Sequence, residues 1–171
     1  GFLSVKEVFM KDKFLSMLPI ETERLVIKRT TKDDIDLMMK MDKQEETQKF
    51  LGGIKDKTRE ERLEFLKKKE QNANSLTVFL NNSPIGFIGL KIIDMEAEVS
   101  YIFDYDYVNN GYCSEVLNKL VDISFNDLML DKLFAYSKEE NISSRKVLEK
   151  NGFKESGTKE DFIYYELRKE V

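Results

Sequence analysis

Small and polar residues crowd the segment Tyr107-Val108-Asn109-Asn110-Gly111-Tyr112-Cys113-Ser114-Glu115, between an alternating stretch and an amphipathic one. Residues of that size let the chain turn tightly, so that several backbone N–H groups point at one spot beside the positive end of the next helix. Such a turn binds phosphate. On these residues alone, plain punctuation between two elements stays open as the bland alternative. A second small polar cluster, Asn141-Ile142-Ser143-Ser144, opens a run that closes on Leu148-Glu149-Lys150-Asn151-Gly152-Phe153. Asparagine followed by serines is also the ordinary N-cap of a helix. Leu148 and Phe153 read as core whatever the chemistry. Cys113 reads as a packing residue rather than a nucleophile, since only the helix N-terminus is at hand to depress its pKa.

The residues that are missing narrow the chemistry further. The chain has no histidine, which excludes a Ser-His-Asp triad, a Cys-His pair and any histidine-bound metal. Cys113 is its single cysteine, so neither an intrachain disulfide nor a cysteine metal cluster can form; no metal site is expected. A base must then be a carboxylate, with or without an intervening water, or the solvent. The net charge is −4 and the basic residues are scattered rather than massed, which speaks against a nucleic-acid partner. No apolar run reaches the ~18 residues of a membrane span. Lys6, Glu7, Lys11, Asp12 and Lys13 interrupt any signal-peptide core, so a cytoplasmic protein with no membrane partner is expected.

The elements that must position these residues follow from periodicity and punctuation. The 171 residues suit one domain, with residues 1–19 as a helical arm and 20–171 as the core. In the arm, Ser4 and Glu7 stand at capping-box spacing, and Val5, Val8, Phe9 and Leu15 form a candidate apolar face. Glu21 to Arg29 reads as a strand. Thr31 caps a helix to about Met41, and Thr58 with Glu61 opens another that runs to about Gln71. Ser75–Leu80 and Ile85–Ile93 read as a hairpin around Asn81-Asn82-Ser83-Pro84. Ala97–Phe103 alternates again. The helix after Gly111 carries Leu117, Leu120, Val121, Phe125 and Leu128 at helical spacing. Leu133–Ser137 is a strand, Ser143–Lys150 a helix stopped by Asn151-Gly152, and two last strands turn at Ser156-Gly157. A strand-helix-strand crossover sets the Ala97 and Leu133 strands parallel. The expected fold is therefore α/β (α+β), a mixed, mostly antiparallel sheet of about seven strands with helices on both faces.

Taken in this order, the two small-residue segments resemble the acyl-CoA-binding core of the GNAT N-acetyltransferases over residues 21–167. Glu21-Thr22-Glu23-Arg24-Leu25, Pro84-Ile85-Gly86-Phe87-Ile88-Gly89-Leu90 and Leu148–Phe153 are similar to the ribosomal-protein (RimJ/RimL-like) branch. The resemblance implies a splayed parallel strand pair that admits acetyl-CoA, with the backbone around Ile102 and Phe103 pairing with the pantetheine arm. It also implies that the N–H groups of Val108, Asn109, Asn110, Gly111, Tyr112, Cys113 and Ser114 hold the pyrophosphate, and that Asn141 and Ser144 contact the thiol-proximal arm. Where the family places glycines, this chain has Asn109, the non-glycine type that best tolerates positive φ, and keeps Gly111; Cys113 stands at the last small position. Glu98 lies where related enzymes place an acidic residue near the acceptor, although a solvent-facing strand residue fits it too. The family's tyrosine acid is replaced by Leu148, which leaves Ser144, a water or the amine itself to protonate the thiolate. The implied activity is acetyl transfer from acetyl-CoA to a primary amine, a protein N-terminus or a small amine, by direct attack. A non-catalytic acyl-CoA-binding or sensing module is the alternative. A monomer and a homodimer paired through the last strand are both compatible.

Overall fold

The structure, a computed structural model, describes residues 4–72 and 75–170. Its elements run α1 (Val5–Ser16), β1 (Ile20–Glu21), β2 (Leu25–Arg29), α2 (Ile35–Asp42), α3 (Glu45–Gln48), α4 (Arg59–Asn72), β3 (Leu76–Leu80), β4 (Ser83–Ile93), β5 (Glu96–Phe103), α5 (Tyr112–Asp122), β6 (Lys132–Lys138), α6 (Ile142–Lys150), β7 (Lys154–Lys159) and β8 (Phe162–Arg168). The strands follow the order β1-β2-β3-β4-β5-β6-β8-β7 in one sheet, mostly antiparallel, with β5 and β6 parallel. The expected α/β fold is found, with eight strands where about seven were counted. The extra strand comes from the first one. Thr22 donates its N–H to the Leu25 carbonyl at 2.9 Å and accepts the Leu25 N–H on its hydroxyl at 3.1 Å, so the chain turns there. Ile20 then pairs antiparallel with Ile27.

The chain forms two compact units, and β4 and β5 run through both. One unit holds residues 18–89 and 101–112. Its core joins Ile35 and Met38 of α2 to Leu66 of α4, with Met39, Leu63 and Phe87 packed against them. The capping box at Thr31 is present, closed by Asp34, which is buried and also accepts the Thr77 hydroxyl at 3.0 Å. Thr58 and Glu61 exchange their two bonds as the spacing predicts. The buried pair Arg62–Asp42 fastens α4 to α2. Asn81 and Asn82 carry the β3–β4 hairpin at φ 48° and 68°, as a two-residue turn with both central residues left-handed requires.

The other unit holds the chain up to Met17, residues 90–100 and 113 onward. The parallel pair falls on Ala97↔Leu133, the two residues named from the crossover. Strand β6 alternates, burying Leu133, Ala135 and Ser137 and leaving Phe134 and Tyr136 on the opposite face. Helix α5 buries Val116, Leu117 and Leu120, then widens into a π-turn at Ile123–Asp127, where Leu128 N–H reaches back to the Ile123 carbonyl. This breaks the α period, so Ile123 and Ser124 are buried while Val121 and Phe125 are only half-buried. The final turn lies at Glu160-Asp161, between β7 and β8. At Ser156-Gly157 the strand continues through a bulge, with Gly157 at φ 140°. Helix α1 is capped by Ser4 and buries Met10 and Phe14 instead of the face expected; Val5 and Phe9 are 88% and 67% exposed. Among the described residues no helix is long and apolar enough to cross a membrane.

Candidate functional site

The sequence candidates fall into two sets, one in each unit. Ile102, Phe103 and Val108 to Tyr112 share the first unit; Glu98, Cys113, Ser114, Asn141 and Ser144 lie in the second. In the first, β5 ends at Phe103, whose ring lies directly on Gly86: a Cβ there would stand 2.6 Å from Phe103 Cδ1 and 2.9 Å from the Ile102 carbonyl oxygen. Glycine is what lets the two backbones approach. Asp104 follows, buried, with its N–H on the Ile85 carbonyl at 2.8 Å. Its side chain caps the 3-10 turn Tyr105–Tyr107 by accepting the Asp106 N–H at 3.0 Å. Burial works to raise the Asp104 pKa, but hydrogen bonds from Lys40, Gln44 and the Asp106 N–H prevail and hold the carboxyl below the usual aspartate range. Hydrogen bonds to Asp104 and Asp106 in turn raise the Lys40 pKa, against the opposing effect of burial.

From that anchor the chain extends through Val108 and turns on two left-handed residues, Asn109 at φ 65° and Gly111 at φ 79°. Asn109 therefore adopts the positive φ that its type suggested. The Asn110 carboxamide pins the turn from within, donating to the carbonyls of Tyr107 and Val108 at 3.2 and 3.1 Å. Tyr112 opens α5, so the first N–H groups of that helix have no partner within it. Arg24 covers the turn. Its guanidinium lies 4.5 Å from the Tyr112 ring centroid, and a Cβ on Gly111 would come within 3.5 Å of its Nη2. A cation beside a turn of small residues that leads into a helix N-terminus is an arrangement that suits a diphosphate.

In the second unit, Ser114 and the far end of α6 meet: Asn151 Nδ2 donates to Ser114 Oγ at 3.0 Å. Asn141 caps α6, its Oδ1 accepting the Ser144 N–H at 3.2 Å, so the capping role is realised. Asn141 and Ser144 thus share the first turn of α6, one helix length away from Asn151. Burial pushes the Cys113 thiol up to about 12, which fits a packing residue. Glu98 is half-buried on β5 between the buried Ala97 and Val99, and pairs in register with Phe134. It therefore shares its face with a cavity of about 400 Å³ lined by Glu96, Lys132, Phe134, Tyr136, Thr158 and Tyr164. The rings of Phe134, Tyr136 and Tyr164 lie with centroids 5.5 to 6.1 Å apart. Lys132 bonds the Tyr164 hydroxyl at 2.9 Å and pairs with Glu96 at 3.0 Å, and these contacts raise its pKa.

Three residues of this neighbourhood were not singled out from the sequence as site residues: Arg24, Asp104 and Asn151. Arg24 stands in the motif quoted for the first strand, and Asn151 in the helix stop, but neither spacing foretells its partner. Asp104 had one signal, an aspartate just after an alternating strand.

The Acetyltransferase (GNAT) domain model matches residues 24–154, more than half of the chain. The chain belongs to the GNAT acetyltransferase family. The co-substrate of this family is acetyl-CoA. An N-acetyltransferase of Bacillus licheniformis, p20, whose function is uncharacterized, is 31% identical over 96 residues; the match spans 54% of this chain and 54% of that protein, about half its length. A GNAT-family acetyltransferase structure from Bacillus anthracis superposes with a TM-score of 0.77 at 24% identity, covering 87% of this chain and 97% of that one. The spermidine N-acetyltransferase of Vibrio cholerae, solved in complex with CoA and spermine, gives 0.74 at 20% identity, covering 85% and 95%. At these identities the GNAT structures establish the fold.

Proposed function

We propose that this chain transfers an acetyl group from acetyl-CoA to a primary amine, a protein N-terminus or a small amine, by direct attack with both reactants bound. The observation that carries this reading is the turn itself. Two left-handed residues, Asn109 and Gly111, aim it into the first turn of α5, and Arg24 lies against it. Together with family membership, these features support Val108 to Ser114 as the diphosphate cradle. The half-buried end of β5 at Ile102 and Phe103 is the pantetheine edge in this reading, and Asn141 and Ser144 of the first turn of α6 are assigned to the thiol-proximal arm. The spermine in the Vibrio cholerae structure supports a small amine as acceptor. The likeness of residues 21–25, 84–90 and 148–153 to the ribosomal-protein branch supports a protein N-terminus.

In the chemical step the neutral amine nitrogen attacks the thioester carbonyl carbon. The C–N bond forms, the C–S bond breaks, and the thiolate departs. The Phe103 N–H is the donor assigned to the developing oxyanion. Glu98 takes the proton that the amine sheds, directly or through water, and Ser144 or a water delivers one to the thiolate. The aromatic and carboxylate lining of the cavity beside Glu98 supports entry of an ammonium-bearing acceptor on that face. Holding two reactants in register supplies much of the acceleration.

Isothermal titration with acetyl-CoA tests the reading against Gly111→Glu, which puts a strained side chain and a negative charge into the turn. Micromolar binding by the native protein, abolished by the substitution, is the expected result. An amine panel then separates the enzyme from a binding module: tight binding with no acetylated product across peptides, polyamines and amino sugars would leave a sensor.

A further inference from the structure

Asp104 is 1% exposed and still charged. Both of its carboxylate oxygens are engaged from the corner between α2 and α3: Oδ2 by Lys40 Nζ at 2.8 Å, Oδ1 by Gln44 Nε2 at 2.7 Å. The same corner grips the two residues that follow. Gln44 Oε1 accepts the Tyr105 N–H at 3.1 Å, and Lys40 pairs with Asp106 at 2.8 Å. Gln44 is itself oriented by the Thr47 hydroxyl, which donates to the same Oε1 at 2.6 Å. Asp104 also carries the main chain, with its N–H on Ile85 O at 2.8 Å and its carbonyl on the Tyr107 N–H at 2.9 Å.

So three consecutive residues are fixed through side chains and backbone at once, immediately before the turn at Val108. An apolar residue would fill the same volume without the cost of burying a charge. What the carboxylate adds is direction, because it holds two named donors and one backbone N–H in a single geometry.

We propose that Asp104 is a positioning residue for the acyl-donor site. Held by Lys40 and Gln44, it fixes where the Val108–Tyr112 turn leaves β5 and so sets the affinity for the donor's diphosphate. The proposal rests on the reading of that turn as the diphosphate site.

Gln44→Ala and Lys40→Met each remove one donor, and neither residue lies in the turn. Losing one charge-assisted hydrogen bond should raise the acetyl-CoA Kd about tenfold in each variant. The kcat at saturating acetyl-CoA should stay near native. Amide exchange across Asn109–Ser114 should quicken, and Lys40→Arg should recover most of the affinity. An unchanged Kd in both variants, with only the melting temperature lowered, reduces Asp104 to a stabilising residue and overturns the proposal. If the native protein binds no acetyl-CoA, the diphosphate reading fails on its own. The affinity role falls with it, and the exchange rates then decide only whether Asp104 orders the turn: faster exchange in the variants shows that it does, and unchanged exchange removes that role too.

Discussion

A strand residue on a half-open face keeps contact with water, and Glu98, half-buried between Ala97 and Val99, has that position. Glu98→Gln keeps the shape and removes the carboxylate proposed to accept the proton. The rate at neutral pH should fall by about 100-fold or more, with a smaller rise in the acceptor KM. A pH–rate profile identical to that of the native enzyme would take Glu98 out of the mechanism. Asp104 makes an opposite use of charge. Its folded pKa lies below the unfolded value, so its contribution is complete above the ordinary aspartate pKa of about 3.9 and is lost as pH falls through the folded value. The charged groups facing it are Lys40 and Asp106, and Lys40 stays protonated throughout this window. Melting temperatures measured from pH 6 down to pH 3 should therefore decline less steeply in Lys40→Met than in the native protein. At this scale the sequence was readable where the signal is local. The positive φ of Asn109 and the cap at Asn141 follow from residue type and near neighbours. The partners of Asp104 lie some sixty residues earlier, and Arg24 far from Tyr112 in the chain, so no local pattern announces either contact.

Elements were legible for the same reason and to the same limit. Alternation and two asparagines specify the β3–β4 hairpin, and a crossover of the right length specifies the parallel pair at Ala97 and Leu133. Small-residue punctuation misled where it served a bulge, at Ser156-Gly157, rather than a turn. The helical period of α5 gave no sign of the π-turn, since the apolar residues beyond it could satisfy either spacing. Candidate faces of α1 differed little in hydrophobicity, and packing selected Met10 and Phe14. The close approach of β4 and β5 at Gly86 offers a direct test of element packing. Gly86→Ala places a methyl 2.6 Å from a Phe103 ring carbon and 2.9 Å from the Ile102 carbonyl. The ring can swing, but the carbonyl belongs to the strand backbone. A loss of about 1–3 kcal/mol is expected, read as a lower denaturant midpoint. Acetyl-CoA affinity should weaken with it as Phe103 is displaced.

At the scale of the molecule, the arm at the start of the chain is part of a folded unit. Lys13 donates to the Asp127 carbonyl at 2.7 Å, and the Asp94 N–H reaches Glu7 at 2.6 Å. Phe14 is 2% exposed. Phe14→Ala should therefore cost roughly 3–5 kcal/mol of unfolding free energy, measured by chemical denaturation. The acetyl-CoA Kd should change little beside that loss, because Phe14 is a core residue and none of the groups assigned to the acetyl-CoA site. The raised pKa of the half-buried Cys113 has a consequence of another kind. A thiol with a pKa near 12 is ionised to roughly one part in 10⁵ at neutral pH, and the chain has no second cysteine. The folded protein should thus react slowly with disulfide reagents that count free thiols by colour. A sulfhydryl set free by the proposed transfer should stand out against that low background, so a progress curve could be read directly, without a chromophore on the acceptor.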